Sequence, residues 1–465
     1  MSASIMDALY RKAPSGVQSM ATALYGYHLR RQRFGADFRK EYTQLQRGYT
    51  DQTEGLQGLR EERLHRLLDH AITHVPYCRT MARVKGFCAS DVSVATLSEY
   101  FPPLDRDTVR ANPRAFYSEA FSDRDVRVHS TSGTSGRPLR VRVSHEALQR
   151  NYAFLADFLR RHGAGPFSRS ATFAGRSLVP ARRKRPPFWR PNPAMNDTLF
   201  SSYHLSPKYL PYYIEKLVQL KPQYIDAYPS AIYEVASAIV SSGQQGRIRP
   251  LFVMTSSETL LPQQRKMIEE AFCCPVRDQY GAVELSAFIG EYTDGILRAH
   301  PAFGLLELEN DLDDASEVPG RSFLATGFLN LAMPLIRYRI GDLLEPAEPD
   351  NKEGLCHMFR SIGGRRDDVI VTSDGRRVGR LGPVFRVAEG IADCQIVQES
   401  LDLVRLRAVL HESRTERDLA PVVAALQERL GEQVSISIEL VSELPRTLAG
   451  KFRPVISALG GSGLR

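Results

Sequence analysis

The sequence has little of what marks secreted, metal-stapled or membrane-spanning proteins. Among 465 residues it has one tryptophan and six cysteines, and the cysteines lack the paired spacing of a zinc site. No apolar run approaches the roughly 18 residues that a membrane helix requires. Residues 1–8 contain no basic segment leading into an apolar core, so no secretory signal is predicted. These absences predict a globular, cytoplasmic protein without a transmembrane segment.

Positive charge is in excess, with a formal net charge of +8 and a pI near 9.1. Such an excess suits a nucleic acid, a phosphate-bearing ligand or a membrane surface. The densest basic run, residues 182–185, precedes two prolines and Arg190, which predicts an exposed loop. No spaced series of aromatic residues accompanies this run, so nucleic-acid binding is not predicted. We expect the loop to be solvated or to attract an acidic acceptor.

Helical periods alternate with short apolar runs across the middle of the chain, which predicts a parallel sheet with crossover helices. In such sheets the loops after the carboxyl ends of the strands bind ligands. Tyr228, Ser257–Glu258 and Gln279–Gly281 fall at these ends. The predicted helices are 61–74, 145–161, 208–220, 231–241 and 262–272, and the predicted strands are 171–174, 224–227 and 251–255.

Shorter β segments follow residue 304 and predict a smaller β subdomain with a sheet of its own. Gly363 and Gly364 then resemble a hinge before a small α+β domain. The expected fold is therefore α/β, with a large multi-sheet domain over residues 1–363 and a small mobile domain over residues 364–465. The predicted strands here are 305–308, 322–326, 334–338, 369–372, 395–398, 403–410 and 434–440, and the predicted helix is 418–430.

Residues 17–29 form a weakly amphipathic segment, and Arg30, Arg31 and Arg33 follow it. This pattern fits either a packed helix or a helix that touches a membrane surface. Packing is the commoner fate of such segments, so we expect a packed helix.

The stretch STSGTSGRP, residues 130–138, is predicted to link two strands. Its glycines permit unusual backbone conformations, and its hydroxyl and N–H groups can face one anion together. No Gly-Lys-Ser/Thr follows, so the loop is not a Walker motif. It is either a phosphate cradle or an ordinary hairpin loop. The residues assigned to the cradle are Ser132, Gly133, Thr134, Ser135, Gly136 and Arg137.

Five stretches are informative when their order and spacing along the chain are considered together. They are STSGTSGRP (130–138), DQYGAVE (278–284), IRYRIGD (336–342), GRRDD (364–368) and LPRTLAGKFR (444–453). Together they resemble the adenylate-forming superfamily of acyl-CoA synthetases, aryl-CoA ligases and peptide-synthetase adenylation domains. LLDHAITHVPYCR and TGFLNLAMPLIRYRIGD look closest to its phenylacetate-CoA ligase and capsule-biosynthesis branch. The resemblance spans nearly the whole chain.

The resemblance implies a ligase that uses ATP and Mg²⁺. Such an enzyme activates a carboxylic acid, here expected to be aromatic, as an acyl-adenylate with loss of pyrophosphate. The acyl group then passes to a nucleophile. CoA, a carrier-protein thiol, an amine and a hydroxyl all remain open as acceptors.

The resemblance also assigns roles to single residues. Tyr280 would stack on adenine, Asp342 would hold the ribose hydroxyls, and Arg365 would lie near ribose or phosphate. Glu284 would hold Mg²⁺, and Lys451 would enter the active site during adenylation. The plain alternatives are a helix-start carboxylate, a surface ion pair and a solvated lysine. Further nucleotide contacts are assigned to Ser257, Glu258, Gln279 and Gly281.

An acyl pocket is the second site that the resemblance implies. Core packing is its alternative, because Tyr and His at strand ends are common in either setting. The residues assigned to this pocket are Tyr203, His204, Tyr228, Ala282 and Phe288.

Two positions depart from the superfamily pattern. Val283 stands where a Ser or Thr hydroxyl normally precedes the glutamate, and Arg137 replaces a common lysine. The missing hydroxyl leaves open a degenerate homologue that binds nucleotide or acyl ligand without turnover. Glu284, Asp342 and Lys451 argue against that alternative.

Overall fold

The computed structural model describes residues 10, 13–47, 53–130, 139–174, 178–180, 183–309, 321–347, 355–365, 370–373, 377–378, 381, 391–410, 414–445 and 453–459. Within these residues the helices are α1 Ser15–Arg33, α2 Ala36–Arg47, α3 Thr53–His74, α4 Pro76–Lys85, α5 Leu97–Tyr100, α6 Arg106–Ala111, α7 His145–Arg161, α8 Leu210–Leu220, α9 Pro229–Ser241, α10 Pro262–Phe272 and α11 Ala420–Leu430.

The strands of the same residues form a hairpin, a long mixed sheet and two smaller sheets. They are β1 Val126–Ser130, β2 Arg140–Ser144, β3 Ser170–Phe173, β4 Trp189–Asn192, β5 Asp197–Phe200, β6 Tyr224–Ala227, β7 Phe252–Ser256, β8 Val276–Gly281, β9 Phe288–Glu291, β10 Leu297–Ala299, β11 Gly304–Leu308, β12 Arg321–Gly327, β13 Tyr338–Pro346, β14 Met358–Arg365, β15 Ile370–Val371, β16 Arg377–Val378, β17 Ile391–Gln398, β18 Leu403–Leu410, β19 Ser435–Leu440 and β20 Val455–Ser457.

Local signals set the ends of several helices. Ser144 caps α7, and its hydroxyl accepts a 3.1 Å hydrogen bond from the Ala147 N–H. Helices α4, α9 and α10 begin with proline, whose missing N–H costs nothing at that position. These signals explain why the predicted bounds of α7 and α10 match the observed ones.

The long sheet has twelve strands in the order β11-β12-β13-β14-β10-β9-β8-β7-β6-β3-β5-β4. Strands β5, β3, β6, β7 and β8 are parallel, as the alternating pattern predicts. The remaining neighbours in this sheet pair in antiparallel fashion. The α/β class is therefore confirmed.

The antiparallel strands do not form a sheet of their own, contrary to our expectation. β9 pairs with β8 through Tyr280 and Ile289, so hydrogen bonding continues from the parallel half. The expected strand at 334–338 is also wrong, because β13 begins at Tyr338. Arg337 has a φ of 51°, a left-handed conformation that interrupts extended backbone before the strand.

Helices cover both faces of the parallel half. Phe252 and Met254 of β7 belong to one hydrophobic cluster with α7, whereas Val253 belongs to another with α8, α9 and α10. Successive side chains of a strand point to opposite faces, so the two clusters lie on opposite sides of the sheet. The sheet is thereby held rigidly, and its carboxyl edge is left to the connecting segments.

The C-terminal strands build a separate four-stranded sheet in the order β19-β18-β17-β20. Its core includes Leu406 of β18 and Val422 and Leu426 of α11, and Leu261 at the start of α10 packs into the same cluster. β18 has the bounds that the sequence predicts. Gly363 lies within β14 and pairs with Leu343, so the domain boundary at 363/364 stays a prediction.

Helix α1 is a packed helix, as expected, and it packs through Gln18, Thr22 and Gly26, while Val17, Met20, Leu24 and Tyr27 are exposed. One surface expectation needs correction. The expected loop around Arg190 is in part strand β4, and Arg190 is fully buried. In the portion of the chain that the structure describes, no helix is both long and apolar enough to span a membrane.

Candidate active site

The carboxyl ends of β6, β7 and β8 lie side by side. Ala227 pairs with Thr255, and Ser256 pairs with Gln279, so these parallel strands end at one edge of the sheet. The segments after them therefore meet there, as the sequence predicts. They include Tyr228, Ser257, Glu258 and the residues 282–287 that follow β8.

Tyr280 and Asp342 form a direct contact although they are far apart in sequence. The Tyr280 Oη donates a 2.6 Å hydrogen bond to Asp342 Oδ2, and both side chains are half-buried. The β13–β14 pairing also places Asp342 opposite the backbone of Arg365. Three of the five motif stretches therefore converge, and the hydroxyl contact holds the tip of the Tyr280 ring at Asp342.

Glu284 is a buried carboxylate in the short segment between β8 and β9. Its side chain is 4% exposed, and its Oε1 lies 4.0 Å from Arg106 Nη2. The buried Tyr338 hydroxyl donates a 3.3 Å hydrogen bond to the same oxygen. Burial raises the pKa of Glu284, and Arg106 opposes that rise. The carboxylate is thus held in a setting that favours a cation beside it.

Arg106 reaches this site because the chain before α6 docks onto the start of β13. The Leu104 N–H donates to the Arg337 carbonyl at 2.9 Å, and the Arg339 N–H donates to the Leu104 carbonyl at 3.0 Å. Asp105 and Arg339 add an ion pair. Burial lowers the pKa of Arg106, but Tyr338, Glu284 and Asp342 outweigh it and raise that pKa. Its buried Nε has no hydrogen-bond partner among the described residues.

Two glycines fix the backbone beside Glu284. Leu285 has a φ of 55°, and the strand ends at Gly304 and Gly327 press against the Leu285–Ser286 backbone. A Cβ on Gly304 would lie 2.9 Å from the Ser286 carbonyl oxygen, and one on Gly327 would collide with that of Leu285. Any larger residue would displace this turn.

A polar network lies beneath the Tyr280 strand. Burial raises the pKa of Asp278 to about 6, although the Thr255 hydroxyl donates to its carboxylate at 2.7 Å. The Asp278 N–H donates to Glu291, and Arg265 grips Glu291 with two hydrogen bonds of 3.0 and 2.6 Å. The network ties β8 to β7, β9 and α10, so it holds the strand that carries Tyr280.

Glu258 has a structural contact of its own. Its Oε2 accepts a 3.1 Å hydrogen bond from the Ser230 N–H, in the first turn of α9. Ser257 before it has a φ of 70°. The contact fixes the segment after β7, while the nucleotide roles of Ser257 and Glu258 stay predictions.

His204 and Phe288 do not come together. His204 is buried, its Nδ1 lies 2.8 Å from Ser201 Oγ, and its ring stacks on Phe188 at 5.0 Å. Phe288 packs in the cluster on the other face of the sheet, 5.7 Å from the Phe303 ring. Both make the contacts of core residues, which is the alternative to an acyl pocket. Tyr228 and Ala282 are half-buried at the carboxyl edge.

Part of the predicted site lies outside the described residues. This holds for the loop residues Ser132 to Arg137 and for Lys451. Of Tyr203 and Arg365 only the backbone is described. Their roles stay predictions.

Arg106, Tyr338, Gly304 and Gly327 are absent from the residues that the sequence assigns. Tyr338 lies inside the stretch IRYRIGD, so its place next to a recognised motif is a usable signal. Arg106 offers no such signal, because a helix-start LDRD stretch is ordinary on a protein surface.

The architecture and the five motif stretches together define the fold of the adenylate-forming CoA ligases. 2-Hydroxyisobutyryl-CoA ligase in its postadenylation state, in complex with R3-HIB-AMP, matches with a TM-score of 0.65 and 20% identity, covering 87% of this chain and 89% of that one. The same ligase in its thioesterification state matches with a TM-score of 0.52 and 20% identity, over 88% and 91% of the two chains. The predicted resemblance is thus confirmed for the fold.

A more specific similarity is to CapK. Residues 370–458 match the family model of the CapK C-terminal domain. Protein CapK of Staphylococcus aureus is 25% identical over 459 residues, covering 97% of this chain and 99% of that protein. The similarity therefore extends across both the long sheet and the C-terminal sheet.

Proposed function

We propose that this protein is an adenylate-forming carboxylate ligase. A carboxylate oxygen of the acid attacks the α-phosphorus of ATP, the bond to the bridging β-phosphate oxygen breaks, and pyrophosphate leaves. A nucleophile then attacks the acyl carbon, loses its proton, and AMP leaves. The single observation that best supports this is the buried Glu284 beside the Tyr280–Asp342 pair on a ligase fold.

The residues at the carboxyl edge suit a nucleotide. The Tyr280 ring offers a face for adenine, and its hydroxyl is held by the 2.6 Å contact with Asp342. Asp342 accepts hydrogen bonds and so suits the ribose hydroxyls.

A magnesium ion fits the Glu284 carboxylate. Mg²⁺ usually binds through one or two carboxylates together with substrate phosphates and water, so one buried Glu is a sufficient protein ligand. When bound, the ion would neutralise charge on the phosphates. Arg106 adds a fixed positive charge 4.0 Å from the same carboxylate. Its unpartnered Nε suits an oxygen of the phosphate or of the acid.

The acid and the acceptor are proposed only as classes. An aromatic acid is favoured by Tyr228 at the edge of the sheet, and CoA is the acceptor of the ligase with the same fold. A carrier-protein thiol or an amine would use the same acyl-adenylate.

We further propose that Lys451 serves adenylation only. If the small domain rotates between two poses, Lys451→Ala should abolish adenylation yet still transfer a chemically supplied acyl-adenylate. Gly363 pairs with Leu343 in the β13–β14 ladder, and the hinge at Gly363 and Gly364 stays a prediction. Equal losses in both half-reactions would contradict this proposal.

The test of the function is carboxylate-dependent ATP–pyrophosphate exchange with Mg²⁺ across a panel of aryl, alkyl and amino acids. We expect at least one acid to support exchange and removal of Mg²⁺ to abolish it. If ATP binds and no acid supports exchange, the second candidate function, a non-catalytic nucleotide-binding protein, replaces this one. Val283 is the observation that favours that candidate, because it supplies no hydroxyl and is 38% exposed.

A further inference from the structure

Helix α1 presents an apolar stripe to solvent. Val17, Met20, Leu24 and Tyr27 are 47%, 60%, 64% and 52% exposed. Their spacing of three, four and three residues places them along one face of the helix. We call these four residues the outer stripe. Single exposed apolar residues are ordinary, but a continuous row on one helix marks an interaction surface.

The inner face of α1 is polar and fixes this orientation. Arg190, buried in β4, donates to the Gln18 side chain, and Arg30 Nη1 donates to the Ala194 carbonyl at 2.8 Å. Gly26 packs so closely on Asn192 that a Cβ would collide with its side chain. Turning the outer stripe inward would break these contacts. The contacts of the inner face therefore keep the stripe exposed.

The surface around the outer stripe is positively charged. Helix α1 contains three arginines and no Asp or Glu between Ser15 and Arg33. Arg31 is exposed at its C-terminal end, and Arg127 of β1 lies 3.5 Å from His28. The exposed Lys184 and Arg185 precede the strand that bonds to Gln18. Cations thus border the apolar side chains at the C-terminal end of the helix.

We propose that α1 docks this protein on the surface of an anionic phospholipid bilayer. The outer stripe would enter the boundary between headgroups and acyl chains, and the basic residues would face the phosphates. Charge decides against a second copy of the chain. A second α1 helix carries no carboxylate that could neutralise these arginines, whereas the phosphates of a bilayer can.

The test is co-sedimentation of the full chain with vesicles of equal parts phosphatidylglycerol and phosphatidylcholine. Binding should be clear with these vesicles, weak with phosphatidylcholine alone, and reduced by salt. The double variant Met20→Glu/Leu24→Glu should lower binding at least about tenfold. Arg31→Gln should lower it about fivefold, the effect of removing one cation near an anionic surface.

Val84→Glu is the matched control, because Val84 is 77% exposed on α4 and lies off the outer stripe. It should bind vesicles like the wild type. Unchanged thermal melting of the double variant would establish that it folds. Binding is expected to be the same in a Glu284→Gln variant, so this proposal does not depend on the ligase activity.

Three results would overturn the proposal. One is no vesicle binding above the lipid-free control, and another is equal losses in the double variant and in Val84→Glu. The third is sedimentation velocity in which the wild type is a dimer that only the double variant dissociates, without any vesicle binding. That result would assign the outer stripe to a second copy of the chain.

Discussion

The two carboxylates of the candidate site are held in opposite ways. Glu284 is buried, faces the Arg106 guanidinium at 4.0 Å, and has a raised pKa. Asp342 is half-buried and accepts a hydrogen bond from Tyr280. The difference separates two tasks. In the proposed reaction the buried carboxylate beside a fixed cation would hold Mg²⁺, whereas the partly open one would accept hydrogen bonds from the nucleotide.

The first prediction concerns the buried carboxylate, Glu284. Glu284→Gln should lower pyrophosphate exchange at least about a thousandfold, because the carboxylate that would hold Mg²⁺ is lost. Exchange kinetics at saturating ATP and acid measure this. The control is Glu345→Gln, a β13 carboxylate that accepts from Ser361 at 2.8 Å. If both variants lose activity equally, Glu284 has no special role.

The same variant should also change the pH dependence of thermal stability. Because burial raises the pKa of Glu284, this group favours folding below its unfolded pKa, and that contribution is lost as pH rises through the folded value. The Tm of Glu284→Gln relative to wild type should therefore increase from pH 4 to pH 8. A constant difference in Tm across this range would contradict the raised pKa.

Arg106→Met tests whether the Arg106 guanidinium lowers the pKa of Glu284. Arg106 lowers the pKa of Glu284, so its loss should raise that pKa further and move the acidic limb of the kcat profile to higher pH. kcat should fall about tenfold to a hundredfold. Arg110→Met on the same helix is the control, since Arg110 pairs with Asp107 at 3.0 Å. A lower kcat with an unmoved acidic limb would leave Arg106 only a packing role.

Changes to Asp342 and Tyr280 should have smaller effects, and these should appear in the affinity for ATP. Asp342→Ala should raise the Kd for ATP about tenfold to a hundredfold, the value of hydrogen bonds to a charged group. Tyr280→Phe keeps the ring and loses one hydroxyl contact, so about fivefold is expected. Isothermal titration calorimetry measures both. Unchanged ATP affinity in both variants would show that Tyr280 and Asp342 do not bind the nucleotide.

The smallest expected effect is a gain. Val283→Thr restores the hydroxyl that relatives of the superfamily carry before the glutamate, at a position that is 38% exposed. Exchange with the best acid should rise about fivefold, the value of one hydrogen bond. A loss of activity would mean that the acyl group needs the apolar side chain.

Strong local signals explain which parts of the fold the sequence predicts. β18 and α7 have a clear period, and α7 has a Ser144 cap, so their bounds are correct. The continuation of the sheet through β9 depends on long-range pairing, for which local periodicity carries no information. Helix α1 packs as predicted, but the sequence does not show that its polar face is the buried one. Arg190 and Asn192 of a distant strand select its polar face for burial.

The candidate site divides in the same way. Tyr280, Glu284 and Asp342 lie in motif stretches, and the fold brings those stretches together. Arg106 reaches Glu284 only through the docking of Leu104 on β13, a contact between segments over 200 residues apart. Sequence patterns therefore identify the three side chains that the fold brings to the candidate site, and they miss the cation beside Glu284.

The most direct test of the account is detection of an acyl-AMP. The wild type and Glu284→Gln would be mixed in single-turnover amounts with ATP, Mg²⁺ and the acid panel, quenched, and analysed by mass spectrometry. A carboxylate ligase of this mechanism should give an acyl-AMP and one pyrophosphate per wild-type active site, and neither product from Glu284→Gln. Intact ATP bound to the wild type with every acid, without AMP, acyl-AMP or pyrophosphate, would contradict it.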